Sequence, residues 1–93
     1  MSASVPARIL TICNRLGLHA RSSAKFVKCV EQYNAVVTVR REGNEVSGAS
    51  IMGLLMLGAA KGAEIEVSAT GPDALAVLDA LEALVGSGFG ECE

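Results

Sequence analysis

The 93-residue sequence predicts an α+β fold: a four-stranded, mainly antiparallel sheet covered on one face by three helices. Short β-branched segments alternate with segments of helical periodicity in the order βαββαβα. Residues 64–69 alternate strictly between polar and apolar side chains, so one side of the sheet faces water. The length suits one modest core. We therefore expect a single domain over residues 1–93, with residues 1–6 and 87–93 as frayed termini.

The first predicted elements are a strand, a loop and a helix. Residues 8–13 are short and rich in β-branched side chains, which is typical of a strand. Residues 14–18 follow as a loop. From Ala20 to Tyr33 apolar side chains recur every three or four residues, with charged side chains between them. This periodicity predicts an amphipathic helix.

A hairpin and a short helix come next. Residues 35–40 and 45–49 read as strands, and the turn between them, residues 42–45, contains a glycine. Ser50 then begins an apolar helix. A lysine and Gly62 form a typical helix end, so this helix is expected to stop near Gly62.

The last two predicted elements are a strand and a helix. In residues 64–69, the alternation assigns Ile65 and its apolar neighbours to the buried face and the two glutamates to water. Pro72 and Asp73 suit the first turn of the third helix. Gly86 ends it.

The histidine of the chain marks the candidate site. His19 is the only histidine, and it lies between Gly17 and the predicted first turn of a helix. Backbone N–H groups in such a turn have no intrahelical acceptors, so they bind anions such as phosphate. Arg21 adds a planar guanidinium that can bind phosphate oxygens in pairs. The pattern indicates a histidine that accepts a phosphoryl group.

Two segments resemble signatures of a known family. Residues 17–27, GLHARSSAKFV, resemble the active-site signature of HPr, the histidine phosphocarrier family of the phosphoenolpyruvate-dependent phosphotransferase system. Residues 50–55, SIMGLL, resemble a second signature, and the likeness covers nearly the whole chain. It implies an HPr-like open-faced β-sandwich.

The resemblance also implies a function. His19 would take a phosphoryl group on Nδ1 from enzyme I and pass it to a IIA-type protein. Arg21 would balance charge during transfer, and Ala20, Arg21 and Ser22 would bind the phosphate. The chain would be an intermediate in transfer and not an autonomous enzyme, with no cofactor and no metal. Most family members carry proline where this chain has Ser22, and we expect transfer to survive that difference.

The second signature carries two further assignments. Ser50 suits the N-cap of a helix, and it also resembles the serine that HPr kinase/phosphorylase modifies, so it is a candidate regulatory site. The apolar side chains that follow it exceed what so short a helix can bury. Leu54 is expected in the core, and the residues expected to bind partners are Ile51, Met52, Leu55 and Lys25.

An alternative function is a regulatory protein of the nitrogen-related phosphotransferase branch. Residues 54–62 and 87–91 resemble that branch, whereas residues 50–52 resemble kinase-regulated carriers. The sequence leaves both open. An independent small enzyme that uses His19 and a cysteine is disfavoured, because nothing in the spacing brings them together.

Charge and composition limit the partners. The net charge is −2, but residues 1–30 carry five basic side chains and no acid, whereas residues 62–93 carry seven acids and no base. On the first helix, a basic stripe is formed by Arg21, Lys25 and Lys28. It is either an ordinary solvated face or a surface that attracts an acidic or phosphorylated partner. An acidic chain with few aromatics does not suit nucleic acid.

Membrane insertion, a metal centre and disulfides are not expected. The longest apolar run, residues 51–60, is shorter than a membrane span, and residues 1–8 do not form a secretory signal. Three cysteines without CxxC spacing favour a reducing, cytoplasmic location. Cys13 and Cys29 are expected to be buried hydrophobes, with Cys92 in the tail. A monomer is expected for a carrier that meets two partners with one face.

Overall fold

The computed structural model describes residues 5–91, and its elements follow the predicted order βαββαβα. A single 3₁₀ turn, Gly88–Gly90, follows the last helix. The bounds are β1 Ala7–Thr11, α1 Ala20–Glu31, β2 Val36–Arg41, β3 Asn44–Ser47, α2 Ile51–Met56, β4 Glu64–Thr70 and α3 Ala74–Gly86.

The four strands form one sheet in the order β1-β4-β2-β3, with every neighbouring pair antiparallel. The three helices cover one face of it, which confirms the predicted open-faced sandwich. The core lies between sheet and helices and is almost entirely aliphatic. Its fully buried larger side chains include Phe26, Phe89, Ile12, Leu54, Ile65, Leu78 and Leu81.

The alternation predicted for β4 is confirmed. Ile65, Val67 and Ala69 are buried, whereas Glu64 and Glu66 lie on the open face. There Glu66 accepts a hydrogen bond of 3.0 Å from Arg40, which also contacts Glu45 at 2.6 Å. Such exposed ion pairs contribute at most about 1 kcal/mol each.

The hairpin between β2 and β3 has the predicted tight turn. Arg41 pairs with Asn44, so the loop consists of Glu42 and Gly43. Both have positive φ, 51° and 83°, the backbone of the two-residue turn that matches the twist of paired strands.

The predicted end of α2 near Gly62 is wrong, because the helix ends at Met56. Gly58 follows the C-cap Leu57 with a left-handed backbone, φ +63°, which ends the helix, and the residues after it bind the segment that leads to His19. The Leu18 N–H donates to the Ala59 carbonyl at 2.9 Å, and the Gly62 N–H donates to the Ile12 carbonyl at 2.7 Å. These long-range bonds replace further helical turns.

The expectation of a frayed tail from residue 87 is wrong for residues 87–91. Phe89 is buried in the core with 1 % of its surface exposed. The Lys25 ammonium group donates to the Phe89 carbonyl at 2.7 Å, which ties the tail to α1. Residues 1–4 and 92–93, including Cys92, lie outside the described range.

The expectation that Cys13 is buried is also wrong. Leu10 and Ile12 point into the core, so the alternation continued beyond β1 turns Cys13 outward. Its thiol lies 3.2 Å from the Val85 carbonyl oxygen. Cys29 is half-buried, and burial raises the pKa of its thiol, which keeps it protonated and unreactive.

Candidate functional site

His19 is the N-cap of α1 and has extended backbone, with φ −116° and ψ −174°. The loop before it passes very close to residues 59 and 60. Gly17 has φ +68°, and a Cβ on it would lie 2.4 Å from the Ala59 carbonyl oxygen. Only glycine fits this approach, and the tight loop fixes where His19 begins the helix.

Ser22 shapes the same loop from inside α1. It is fully buried, and its hydroxyl accepts a hydrogen bond from the His19 N–H at 2.9 Å and donates one to the Gly17 carbonyl at 2.8 Å. A proline at this position could make neither bond. The Ser22 side chain therefore faces inward, so any contribution of this residue to phosphate binding would come from its backbone N–H.

The first turn of α1 presents amides that have no intrahelical acceptor. The first helical bond runs from the Ser23 N–H to the His19 carbonyl at 2.8 Å, so the amides of residues 20–22 precede it. An open pocket lies beside this turn, and its lining residues are Leu16, His19, Ala20, Arg21, Lys25, Gly90 and Glu91. Imidazole, guanidinium and helix N-terminus together suit a phosphate.

Glu91 contacts His19 directly, which the sequence did not predict. One carboxylate oxygen, Oε2, lies 2.7 Å from Nε2 of His19. The other, Oε1, accepts a hydrogen bond of 3.0 Å from the side-chain amide of Asn14, which also donates to the Gly17 carbonyl at 2.8 Å. Asn14 is fully buried, and only 13 % of the Glu91 side chain is exposed.

These contacts favour the ionised carboxylate. The hydrogen bond from Asn14 lowers the pKa of Glu91, as do the hydrogen bond and charge of His19 and the charge of Lys25, against an opposing effect of burial. The side chain is therefore a carboxylate at neutral pH and acts only as a hydrogen-bond acceptor.

Asn14 and Glu91 are difficult to identify as site residues from the sequence alone. From the sequence, Asn14 is only the first residue of the loop that follows the first strand. The useful signal for Glu91 was Phe89, because large aromatic side chains are usually buried in cores and a buried Phe89 brings the tail back to the domain.

The helix α2, which packs against α1, exposes several apolar side chains. Met52 is 67 % exposed, Ile51 is partly exposed and Leu55 is half-buried, whereas Leu54 is buried as predicted. Two further apolar side chains, which the sequence did not single out, are also exposed: Met56 at 77 % and Leu16 in the loop at 61 %. The spacing of Met56 four residues after Met52 could have indicated a shared helix face.

Ser50 is the N-cap of α2. Its hydroxyl accepts a hydrogen bond of 2.9 Å from the Gly53 N–H, and the residue remains partly exposed. The structural role is therefore as expected from the sequence.

Within residues 5–91, no three histidine, cysteine, aspartate or glutamate side chains gather closely enough to hold a metal ion. No helix in the described range is long and apolar enough to cross a bilayer.

Comparison with known proteins gives consistent matches. The family model described as the PTS HPr component phosphorylation site matches residues 7–87. The chain is 45 % identical over 84 residues to phosphocarrier protein HPr of Neisseria meningitidis, covering 90 % of this chain and 94 % of that one. It is 46 % identical over 81 residues to phosphocarrier protein NPr of Escherichia coli, covering 86 % and 90 %. The structure matches an HPr crystal structure from Thermoanaerobacter tengcongensis with a TM-score of 0.90 and 34 % identity, over 95 % and 99 % of the two chains.

Proposed function

Because the chain belongs to the HPr family of the phosphotransferase system, we propose that it is a phosphocarrier whose His19 accepts a phosphoryl group from enzyme I and passes it to a IIA-type protein. One observation carries the proposal: the imidazole lies at the start of α1, in one open pocket with Arg21 and the first-turn amides. Those groups would surround a phosphate bound to the ring.

The transfer needs positioning and charge stabilisation. Nδ1 of His19 attacks phosphorus, the P–N bond of the phosphorylated donor breaks, and the electron pair of that bond returns to the donor imidazole. The amides of Ala20 and Arg21 and the Arg21 guanidinium stabilise the negative charge on the three equatorial oxygens. Transfer to the acceptor is the same step in reverse.

Incubation with phosphoenolpyruvate and purified enzyme I tests the first transfer. We expect a single acid-labile phosphate by intact mass and a phosphohistidine signal by phosphorus NMR. His19→Ala should carry none, and Arg21→Ala should load at least about tenfold more slowly because one charged contact to the transition state is lost. A parent chain that stays unmodified beside an HPr that loads would contradict the proposal.

We define the docking face as Leu16, which lines the pocket, together with the exposed or half-buried apolar side chains of α2, which packs against α1: Ile51, Met52, Leu55 and Met56. We propose that enzyme I and the IIA-type protein both bind the docking face and that Lys25 contacts them at its edge. Lys25 also donates a hydrogen bond to the Phe89 carbonyl of the tail. The exposed apolar area and the flexible methionines support this role.

A pair of matched substitutions tests the docking face. Met52→Gln should raise the KM for enzyme I about tenfold, as truncation of a central contact does. Leu75→Gln is the control, since Leu75 is 62 % exposed on α3 but lies outside the docking face. Equal KM values for the two variants would exclude the docking face as the site of binding.

The second candidate is a regulatory protein of the nitrogen-related branch. Its support is that NPr and HPr relatives are equally similar to this chain, at 46 % and 45 % identity. Competition between a sugar-type and a nitrogen-type IIA acceptor for the phosphorylated chain separates the two. Faster loading of the nitrogen-type acceptor would favour the second candidate. Either function requires the protein to meet its partners in the cytoplasm.

A further inference from the structure

The contact between Glu91 and His19 determines where the ring carries its proton. Glu91 is ionised and has no hydrogen to donate, so at 2.7 Å the hydrogen of this bond must be on Nε2 of His19. A neutral imidazole has one N–H. Its lone pair is therefore on Nδ1, the nitrogen bonded to Cγ, at the start of α1.

Glu91 is itself held in place from both sides. Its second oxygen is bound by the buried amide of Asn14, whose other hydrogen binds the Gly17 carbonyl. The residues just before it are anchored by the buried Phe89 ring and by Lys25 on α1. The carboxylate is thus attached to the same loop and helix as the histidine that it contacts.

We propose that Glu91 is a positioning residue for phosphoryl transfer: its carboxylate keeps a proton on Nε2 of His19 through both transfers, so that Nδ1 is the nucleophile and later the leaving atom. This inference rests on the proposed function of His19.

The chemistry balances without a net proton transfer. When Nδ1 bonds to phosphorus, Nε2 keeps its hydrogen and the ring becomes positively charged, which the carboxylate 2.7 Å away stabilises. When an acceptor attacks, the P–Nδ1 bond breaks and its electrons return to Nδ1. The ring then leaves as a neutral imidazole. Without the Nε2 proton it would leave as an anion, which is a poorer leaving group.

The test combines ring NMR with transfer kinetics on four proteins: the parent, Glu91→Ala, Glu91→Gln and the control Glu64→Gln. Glu64 is an exposed carboxylate on β4, away from the pocket. Because the chain has one histidine, a ¹H–¹⁵N spectrum of the imidazole shows only His19. Transfer from each phosphorylated protein to a IIA-type acceptor is followed by rapid quench.

We expect the parent and Glu64→Gln to show a slowly exchanging hydrogen on Nε2 and equal transfer rates. Glu91→Ala should lose that signal by exchange with water and transfer at least about tenfold more slowly, the effect of one charge-assisted hydrogen bond. Glu91→Gln keeps an acceptor oxygen without the charge, so it should retain the signal and transfer at an intermediate rate. This partial rescue would not follow from mere detachment of the tail.

Two results would overturn the positioning role: a parent ring with its hydrogen on Nδ1, or a Glu91→Ala protein that transfers at the parental rate. A parent that enzyme I does not phosphorylate would overturn the proposed function itself, and the positioning role with it. The ring spectrum does not depend on phosphorylation, so the two failures are distinguishable.

Discussion

Two small side chains shape the loop that carries His19. Gly17 permits the close approach to the Ala59 carbonyl, and the Ser22 hydroxyl joins the Gly17 carbonyl to the His19 amide. The serine therefore replaces the conformational restriction of a proline with two hydrogen bonds.

The energetic consequence of this close approach can be measured by substituting Gly17. Gly17→Ala should lower the free energy of unfolding by about 3 kcal/mol, because it adds a backbone clash to left-handed strain. Gly58→Ala is the matched control: φ is +63° against +68°, and no atom lies within 4 Å of the added Cβ. The control should lose only about 1 kcal/mol. Equal losses in urea unfolding would show that the close approach has no energetic consequence.

Glu91 should also make the stability of the fold depend on pH. Its folded-state pKa is lower than the ordinary value of 4.5, chiefly because Asn14 donates a hydrogen bond to it. The carboxylate therefore stabilises the fold above that ordinary value, and this contribution is lost as the pH falls through the lower, folded-state pKa.

Urea unfolding of the parent and Glu91→Gln between pH 3 and 7 measures this effect. We expect the parent to be the more stable protein above the ordinary carboxyl pKa of 4.5, and its advantage over Glu91→Gln to shrink as the pH falls below that value. A stability difference that grows on acidification would have the wrong sign.

Residues of the site differed in how far the sequence revealed them. His19 and Arg21 lie in one short motif, so local spacing was enough to single them out. Asn14 and Glu91 are 77 positions apart, and no local pattern links them. Their contact depends on the folded path of the tail.

At the scale of elements, local periodicity predicted the strands, α1 and α3 to within a few residues. The end of α2 was not predicted in this way, because the apolar run continues beyond Gly58, whose left-handed backbone ends the helix, and the residues that follow bind the loop before His19. The tail was misjudged for a related reason. Its small polar residues resemble a loose end, but one buried ring anchors them.

Ser50 is the N-cap of α2, and two substitutions test whether it also has the regulatory role that the sequence led us to expect. Ser50→Ala removes the N-cap bond to Gly53 and should cost about 1 kcal/mol. Ser50→Asp retains a good cap, so its stability should be close to that of the parent. Its charge beside the docking face should nevertheless weaken enzyme I binding, as we expect for phosphorylation of Ser50.

Urea unfolding and the KM for enzyme I measure these effects, and labelling by an HPr kinase measures the modification. Loss of label in Ser50→Ala is the expected result. A Ser50→Asp variant that loads from enzyme I with an unchanged KM would contradict regulation by charge.

Across the whole molecule, basic side chains and exposed apolar side chains lie on neighbouring helices. Arg21 and Lys25 of α1 line the pocket, and the docking face extends from Leu16 in the pocket lining to α2, which packs against α1. Two acids of α3, Asp79 and Glu82, are instead engaged by Arg8 at the sheet. Positive charge around the pocket should attract a phosphorylated or acidic partner and raise the rate of encounter.

A two-step relay tests the central claim, that the chain both accepts and releases a phosphoryl group, most directly. The chain is loaded with labelled phosphate by enzyme I, separated from enzyme and phosphoenolpyruvate, and mixed with a IIA-type acceptor. We predict that the acid-labile label leaves His19 and appears on the acceptor, while His19→Ala never loads. Label that stays on the chain, with an acceptor that takes it from another HPr, would contradict the account.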